Sequence, residues 1–530
     1  MFILERIWDF YVTVLSIAFN LENILLLFAS VILGIIFGAM PGLTATLGVG
    51  LLTTLTYGIS TNAAMITLLG MYVGAVYGGS YGSICVNIPG TAAAAATAMD
   101  GYPLACKGEA GRALGITTTT SFIGTMVGMF FLALFGPLIS KLALQFTSFE
   151  FFLLAFFGIM ISGGLTGQDL VYKGWISGLI GLFLAIIGRD RLQFFPRFTF
   201  GISELDGGLE VVPVLIGAFG IPQIIQVIRD QLSVGEAKKF QRVLPELKII
   251  SKHIKTIVRS ALIGVGIGAV PGIGEDIAAW VSYGTAKKAS KHPEKFGTGV
   301  YEGVIASETS NNACIGGAIV PLLTLGIPGS PPAVMLLGAL MIHNVTPGPM
   351  ISIEHPHFIT DMTAILCLAA FVVFICGLFM AKQVVKVLKI PPPIFMPIVL
   401  ILCVIGSYAL GTKVFNLYLM VPVGILAYFM QTMGYPIAPL VIGVILGPMA
   451  DENLRRALMV SQGSFLPFFT RPVALMLLLA IVWMFVSQMA FYKRFMRWLK
   501  VKIVKRKQAE DTFAGEHPKK EEGGKDTWMN

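Results

Sequence analysis

Charge is scarce in this chain of 530 residues: Asp, Glu, Lys and Arg supply only 13% of it, against 55% hydrophobic residues. A soluble domain carries roughly a quarter charged residues, so a freely solvated globular protein is excluded. The six cysteines (Cys85, Cys106, Cys314, Cys367, Cys376 and Cys403) are scattered, mostly in apolar runs, and none forms a CxxC pair. Neither a disulfide framework nor a thiolate metal centre is expected from them. No GxxxxGK[ST] or HExxH pattern occurs, and the GxSxG match from Gly78 to Gly82, inside a long apolar run, supports no hydrolase. ATP hydrolysis and intramembrane hydrolysis therefore lack their machinery, and the chain does not read as an enzyme. The "HPH" at His355 to His357 lies in a polar loop without further ligands, so no cofactor or bound metal is expected beyond a transported ion. "MFILERIWDF" sets Glu5 and Asp9 beside Arg6, where a secretory leader would be basic. The N-terminus is expected to stay on the mature chain.

What the sequence has in abundance is long apolar runs. "NILLLFASVILGIIFGA", "ALGITTTTSFIGTMVGMFFLALFGPL", "ITDMTAILCLAAFVVFICGLFMA" and "RPVALMLLLAIVWMFVSQMAFY" each approach or exceed the ~20 residues that cross a bilayer as a helix. About ten to twelve such spans are expected, giving an all-α polytopic membrane protein. The net charge of +9 is concentrated beside the spans: eight Lys and Arg lie in 229 to 259 and eight more between Lys493 and Lys507. That is the pattern of cytoplasmic loops and tails, and no nucleic-acid motif accompanies it. The expected division is a first transmembrane repeat (1–228), a basic cytoplasmic linker (229–259), a second repeat (260–492), and a basic then polar cytoplasmic tail (493–530).

Two repeats follow from a recurring interruption. "GAMPGLTATLG" carries Pro41 and Gly42; "GAVPGIGEDIAAW" carries Pro271 and Gly272, 230 residues on. "IPGT", with Pro89, Gly90 and Thr91, is matched by "IPGS", with Pro328, Gly329 and Ser330, 239 residues on. A duplication explains both offsets. Basic residues alternate between the copies: residues 1 to 20 hold one Lys or Arg where 229 to 259 hold eight, and 57 to 62 hold none where 283 to 299 hold four. The copies are thus expected in opposite orientations, with Arg189, Arg191 and Arg197 standing against the pattern on what would be the outer side.

Proline and glycine break helices, and a break in hydrocarbon is tolerable only inside protein or along a watery cavity. A helix restarting there offers free N–H groups and a dipole worth ~0.3–1 kcal/mol towards an anion, while the carbonyls left behind suit a cation. The substrate-binding candidates are therefore the residues of the four breaks with Thr44, Thr46, Asn87 and, from "SETSNN", Ser307, Thr309, Ser310, Asn311 and Asn312. Candidates for a coupling cation or proton are Asp276, Glu308, Asn87, Asn311 and Asn312, because a carboxylate near mid-membrane costs at least ~2.5–3.5 kcal/mol unless it has a use. Glu275 reads more simply as an acid at a helix start. "DENLRR" pairs Asp451 with Arg455 and Glu452 with Arg456 as an exposed helix end.

Taken in order, "MPGLTATLGVGLL", "YVGAVYGGSYGSICVNIPGTAAAAATAMDGYPLACKGEAGRALGI", "GAVPGIGEDIAAWVSYGTAKK", "SETSNNACIGGAIVPLLTLGIPGS" and "LGPMADENLRRAL" resemble the blocks of the large membrane subunit of tripartite tricarboxylate transporters. The resemblance spans nearly the whole chain and fades at the tail. It implies a bacterial inner-membrane permease working with a small membrane subunit and a periplasmic solute-binding protein. It also implies uptake of carboxylates such as citrate on a sodium or proton gradient, and an elevator-like arrangement with re-entrant hairpins. A carrier that needs no binding protein and a passive anion channel are the rival readings.

Overall fold

The structure, a computed structural model, describes residues 2–166, 170–230, 243–244, 246–391, 394–409 and 412–488, with side chains from Trp8 onward. Part of the basic linker and the whole 493–530 tail lie outside the described residues, and with them the expected placement of the C-terminus.

Among the described residues the chain is almost wholly helical. The first half comprises α1 (Phe2–Ala18), α2 (Leu21–Ala39), α3 (Ala45–Leu55), α4 (Thr61–Val86), α5 (Ala92–Cys106), α6 (Ala110–Ala143), α7 (Ser148–Thr166), α8 (Val171–Ala185) and α9 (Val211–Asp230). The second begins with α10 (Leu247–Lys252), α11 (Ile254–Gly268), α12 (Gly274–Ala289), α13 (Tyr301–Leu325), α14 (Pro331–Ile342), α15 (Ile351–Glu354) and α16 (Phe358–Phe379). It continues through α17 (Ala381–Val387), α18 (Met396–Ala409), α19 (Phe415–Thr432), α20 (Ile437–Val460), α21 (Pro467–Thr470) and α22 (Pro472–Gln488). Eight of these are long and apolar enough to cross a membrane. The expected spans are fewer as unbroken helices because the interruptions cut some into shorter pieces such as α3 and α14. Hydropathy also passes over α13: it is 25 residues long, but its "SETSNN" segment lowers its apolarity and is shielded by protein.

The duplication is written into the packing. Small residues let backbones touch, and the same touches recur at the offsets of the two motifs. A Cβ on Gly34 would meet the Met71 carbonyl, as one on Gly264 would meet that of Ser310; Gly38 faces Ala75 as Gly268 faces Cys314; Gly78 faces Ile35 as Gly317 faces Val265. Each first-hairpin residue is 230 residues from its counterpart and each central-helix residue 239. These registers make α2 parallel to α4 and α11 parallel to α13. The chain between each parallel pair must run back, so α2–α3 and α11–α12 are hairpins with the Pro-Gly pairs at their tips.

The two copies are inverted. Gly79 lies against Ala94, and Gly101 against Ile84, so α5 continues in the direction of α4. Thr97 meets Ser307 while Asp100 lies against Gly303, so α5 runs opposite to α13. It follows that α4 and α13 are antiparallel, as the alternating Lys and Arg counts require.

The copies also interlock. Helix α9 packs on α18 and α19, and α20 packs on α7 and α8. Residues Met1–Leu477 accordingly form one compact unit; a second, Leu478–Asn530, is described only for the end of α22. Outer helices expose large apolar residues such as Leu134, Phe183, Ile401 and Phe429, as lipid contact allows.

Between α8 and α9 a two-residue antiparallel ladder pairs Gly188 with Arg197. The three arginines that stood against the charge pattern are each paired there: Arg189 with Asp206 at 2.6 Å, Arg191 with Glu452 at 3.9 Å, and Arg197 with Asp190 at 2.6 Å and Asp451 at 2.9 Å. Asp190 also takes Arg455 at 2.5 Å. Burial alone would raise its carboxyl, but the Leu192 and Gln193 N–H groups and Arg197 hold it below the ordinary aspartate range.

Candidate functional site

The breaks are built alike in both copies. Gly42 and Gly272 have φ of 88° and 73°, a conformation that glycine adopts without a steric penalty. Gly90 lies on the Gly38 carbonyl and Gly329 on that of Gly268, so each IPG turn rests on the tip of its own hairpin. Helices α4 and α13 both end on a left-handed residue, Asn87 (φ 57°) and Gly326 (φ 73°). Asn is among the few side chains tolerated there. Three of the four restarting helices are capped by hydroxyls: Thr44 accepts from the Leu47 N–H at 3.2 Å, Thr91 from Ala94 at 3.2 Å, and Ser330 from Ala333 at 3.3 Å. The fourth, α12, carries Glu275 and Asp276 in its first turn.

Three of these beginnings, those of α5, α12 and α14, converge across the two copies, while Gly42 before α3 lies against Val227 of α9. Asp276 accepts the Ala93 N–H of α5 at 2.8 Å. Gly274 donates its N–H to the Gly329 carbonyl at 3.2 Å, bringing α12 to the start of α14. Tyr72 of α4, fully buried, donates to Glu275 and lies 2.6 Å from the Ser330 hydroxyl. One group of contacts therefore joins α4 and α5 of one copy to α12 and α14 of the other. The two turns differ in access: Asn87 and Ala92 are exposed and Pro89 and Thr91 half-buried, whereas Ile327, Pro328, Gly329 and Ser330 are buried.

One turn further along α5 is a second polar group. Glu308 accepts from Thr97 at 2.6 Å and from Ser121 of α6 at 3.0 Å. Asn312 donates to Ser121 at 2.9 Å and to the Asn311 side-chain oxygen at 2.8 Å. All five side chains are fully buried.

A profile described as "Tripartite tricarboxylate transporter TctA family" matches residues 24–442. The chain belongs to the TctA family. It is similar to an Agrobacterium vitis protein called "Uncharacterized 52.8 kDa protein in TAR-I ttuC' 3'region", 35% identical over 86% of this chain and 91% of that one. A second Agrobacterium vitis protein, from the "TAR-II ttuC' 3'region", is 36% identical over 40% of this chain and 88% of its own. No solved structure matches the chain. TctA proteins are transporter subunits of multi-pass membrane systems, which agrees with the helical architecture above.

For a TctA-family chain the sequence candidates fall into distinct places. Pro41, Gly42, Pro271 and Gly272 form the hairpin tips, and Pro89, Gly90, Pro328 and Gly329 the turns resting on them. Thr44, Thr91 and Ser330 are caps, while Thr46 lies buried in the first turn of α3. "SETSNN" is not at a break but inside the unbroken α13, where Ser307 and Thr309 bond back to their own helix and Ser310 bonds to the Ala278 carbonyl at 2.9 Å. Glu308, Asn311 and Asn312 come together; Asn87, exposed at its cap, is not brought to them. Glu275 does more than begin a helix, because Tyr72 ties it to the other copy.

Sequence reasoning missed Tyr72, Thr97, Ser121 and Asp100. For Tyr72 a signal exists: it stands 239 residues before Asn311, so the repeat offset maps one onto the other. Asp100 is a structural clamp, accepting N–H bonds from Gly297, Gly299 and Val300 at 2.9 to 3.0 Å and the Tyr283 hydroxyl at 2.9 Å.

Proposed function

We propose that this chain is the permease of a secondary active transporter importing a tricarboxylate or related organic anion. It works with a small membrane subunit and is fed by a periplasmic solute-binding protein, across a bacterial inner membrane. The first repeat is 1–228 and the second 260–492, with the 229–259 linker and the tail on the cytoplasmic side.

The supporting observation is the meeting of Asp276 with the Ala93 N–H, where restarting helices of oppositely oriented copies begin side by side. Such starts concentrate unpaired N–H groups and positive dipole ends, the chemistry that binds a carboxylate away from water. The accessible α5 start, with Pro89, Gly90, Thr91 and Asn87 around it, receives the substrate, and the buried α14 start is its closed counterpart. A sodium or proton gradient supplies the driving force, with Asp276 and Glu308 as the groups that answer to the ion.

Reconstitution tests this reading. Proteoliposomes holding this chain and its small membrane partner should accumulate labelled citrate or a related anion when a sodium or proton gradient and the binding protein are supplied. Downhill flux that ignores both gradients would mark a channel, and uptake without the binding protein would mark an independent carrier.

A further inference from the structure

Six side chains meet between α5, α6 and α13: Thr97, Ser121, Ser307, Glu308, Asn311 and Asn312, all fully buried. The carboxylate bonds recorded for Glu308 come from two neutral hydroxyls, one on each oxygen. Ser307 lies 2.9 Å from the Thr97 hydroxyl. One polar atom is left over: the side-chain oxygen of Asn312 is buried without a hydrogen-bond partner. Leaving such an atom unmatched is costly. Burying a carboxylate without a cation costs more.

We infer that this cluster binds a dehydrated monovalent cation of the sodium type, held by the Glu308 carboxylate and the oxygens of Thr97, Ser121 and Asn312. The donor set is all oxygen, which selects a hard cation. It holds one carboxylate, so a monovalent ion leaves the site neutral where a divalent one would not. No group of three His, Cys, Asp or Glu that would suit a transition metal occurs among the described residues. Each carboxylate oxygen has a hydroxyl within hydrogen-bond distance, and the free Asn312 oxygen is a further cation ligand. Thr97 lies four residues after Ala93 on the same face of α5, so one helix carries a cation ligand and the N–H held by Asp276. The coupling of this site to uptake rests on the transport reading; the binding itself does not.

The test is thermal unfolding of the purified full chain in sodium chloride against choline chloride, at matched ionic strength and fixed pH. Sodium should raise the midpoint saturably. Glu308→Gln should abolish the response, and Ser121→Ala should weaken the half-saturating concentration roughly tenfold, as loss of one ligand oxygen implies. If Glu308→Gln does not fold, Ser121→Ala decides. A sodium response unchanged in these variants, or no difference between sodium and choline, overturns the site. A Glu308-dependent response to pH with none to sodium makes it a proton site and likewise overturns the sodium assignment. Sodium binding that depends on Glu308, together with uptake that ignores a sodium gradient, would uphold the site and refute sodium coupling alone.

Discussion

The carboxylate of Asp276 accepts the backbone N–H of Ala93 at 2.8 Å, so the first turn of one copy's helix is capped from the other copy. An anionic side chain thus already occupies one of the N–H groups that a substrate carboxylate would use. Substitution should grade with what the side chain keeps. Asp276→Asn retains an acceptor and partial uptake; Asp276→Ala loses the link and at least about fivefold in uptake, the loss expected for an N-cap worth ~1 kcal/mol or more. Protease-resistant, membrane-inserted protein in both variants would separate this from misfolding. Wild-type uptake by Asp276→Ala would count against the assignment.

Tyr72 is the other bridge between the copies. Its hydroxyl serves both Glu275 and Ser330, and Phe keeps the ring but leaves the buried Glu275 short of a donor. Tyr72→Phe should lower stability by about 1–3 kcal/mol, read as a lower unfolding midpoint in detergent. Tyr77→Phe, which removes a hydroxyl bonded to Thr118 and Tyr81 away from the breaks, should leave substrate binding untouched.

The duplicated glycine contacts predict duplicated costs. Gly38→Ala and Gly268→Ala each push a methyl group into a backbone carbonyl of the neighbouring central helix, that of Ala75 and that of Cys314. Both should destabilise by at least about 1–3 kcal/mol. Gly266→Ala, two residues earlier on α11 with open space at its Cβ, should be neutral or stabilising. Melting curves of the three variants check the comparison.

Asp190 gives a pH signature outside the membrane spans. Its native carboxyl is held below the ordinary range, so its contribution to stability is complete above the unfolded aspartate value and is lost as pH falls through the native one. Wild-type protein should therefore lose stability on acidification below about pH 4, and Asp190→Asn should be less stable at neutral pH with a flatter acid limb. An acid limb identical in the two proteins would remove Asp190 as its source.

Much of this arrangement could be read from the chain alone, because a duplication leaves fixed offsets. Pro41 with Pro271, and Pro89 with Pro328, give the hairpin tips and turns, and the opposite Lys and Arg counts give the inversion. Other features depend on pairs far apart in sequence. Thr97 and Ser121 are single hydroxyls in small-residue helices until α13 brings Glu308 between them. Asn87 reads from the chain only as a polar residue beside an IPG turn, and its left-handed place at the end of α4 is visible only in the fold. Arg189, Arg191 and Arg197 read from the chain as unpaired cations, and only the fold shows their partners, Asp206 and Asp190 in the same connection and Glu452 and Asp451 of α20.

The central claim is that a substrate anion is held at the start of α5. Ala92 is exposed there, and the one other exposed cysteine recorded is Cys106, so Ala92→Cys in a Cys106→Ser background offers a single accessible thiol. Its labelling rate by a charged thiol reagent should be measured with increasing amounts of whichever anion proteoliposomes take up. Protection that saturates over the same range as uptake is the predicted result; labelling that proceeds at an unchanged rate while the anion is transported would contradict it.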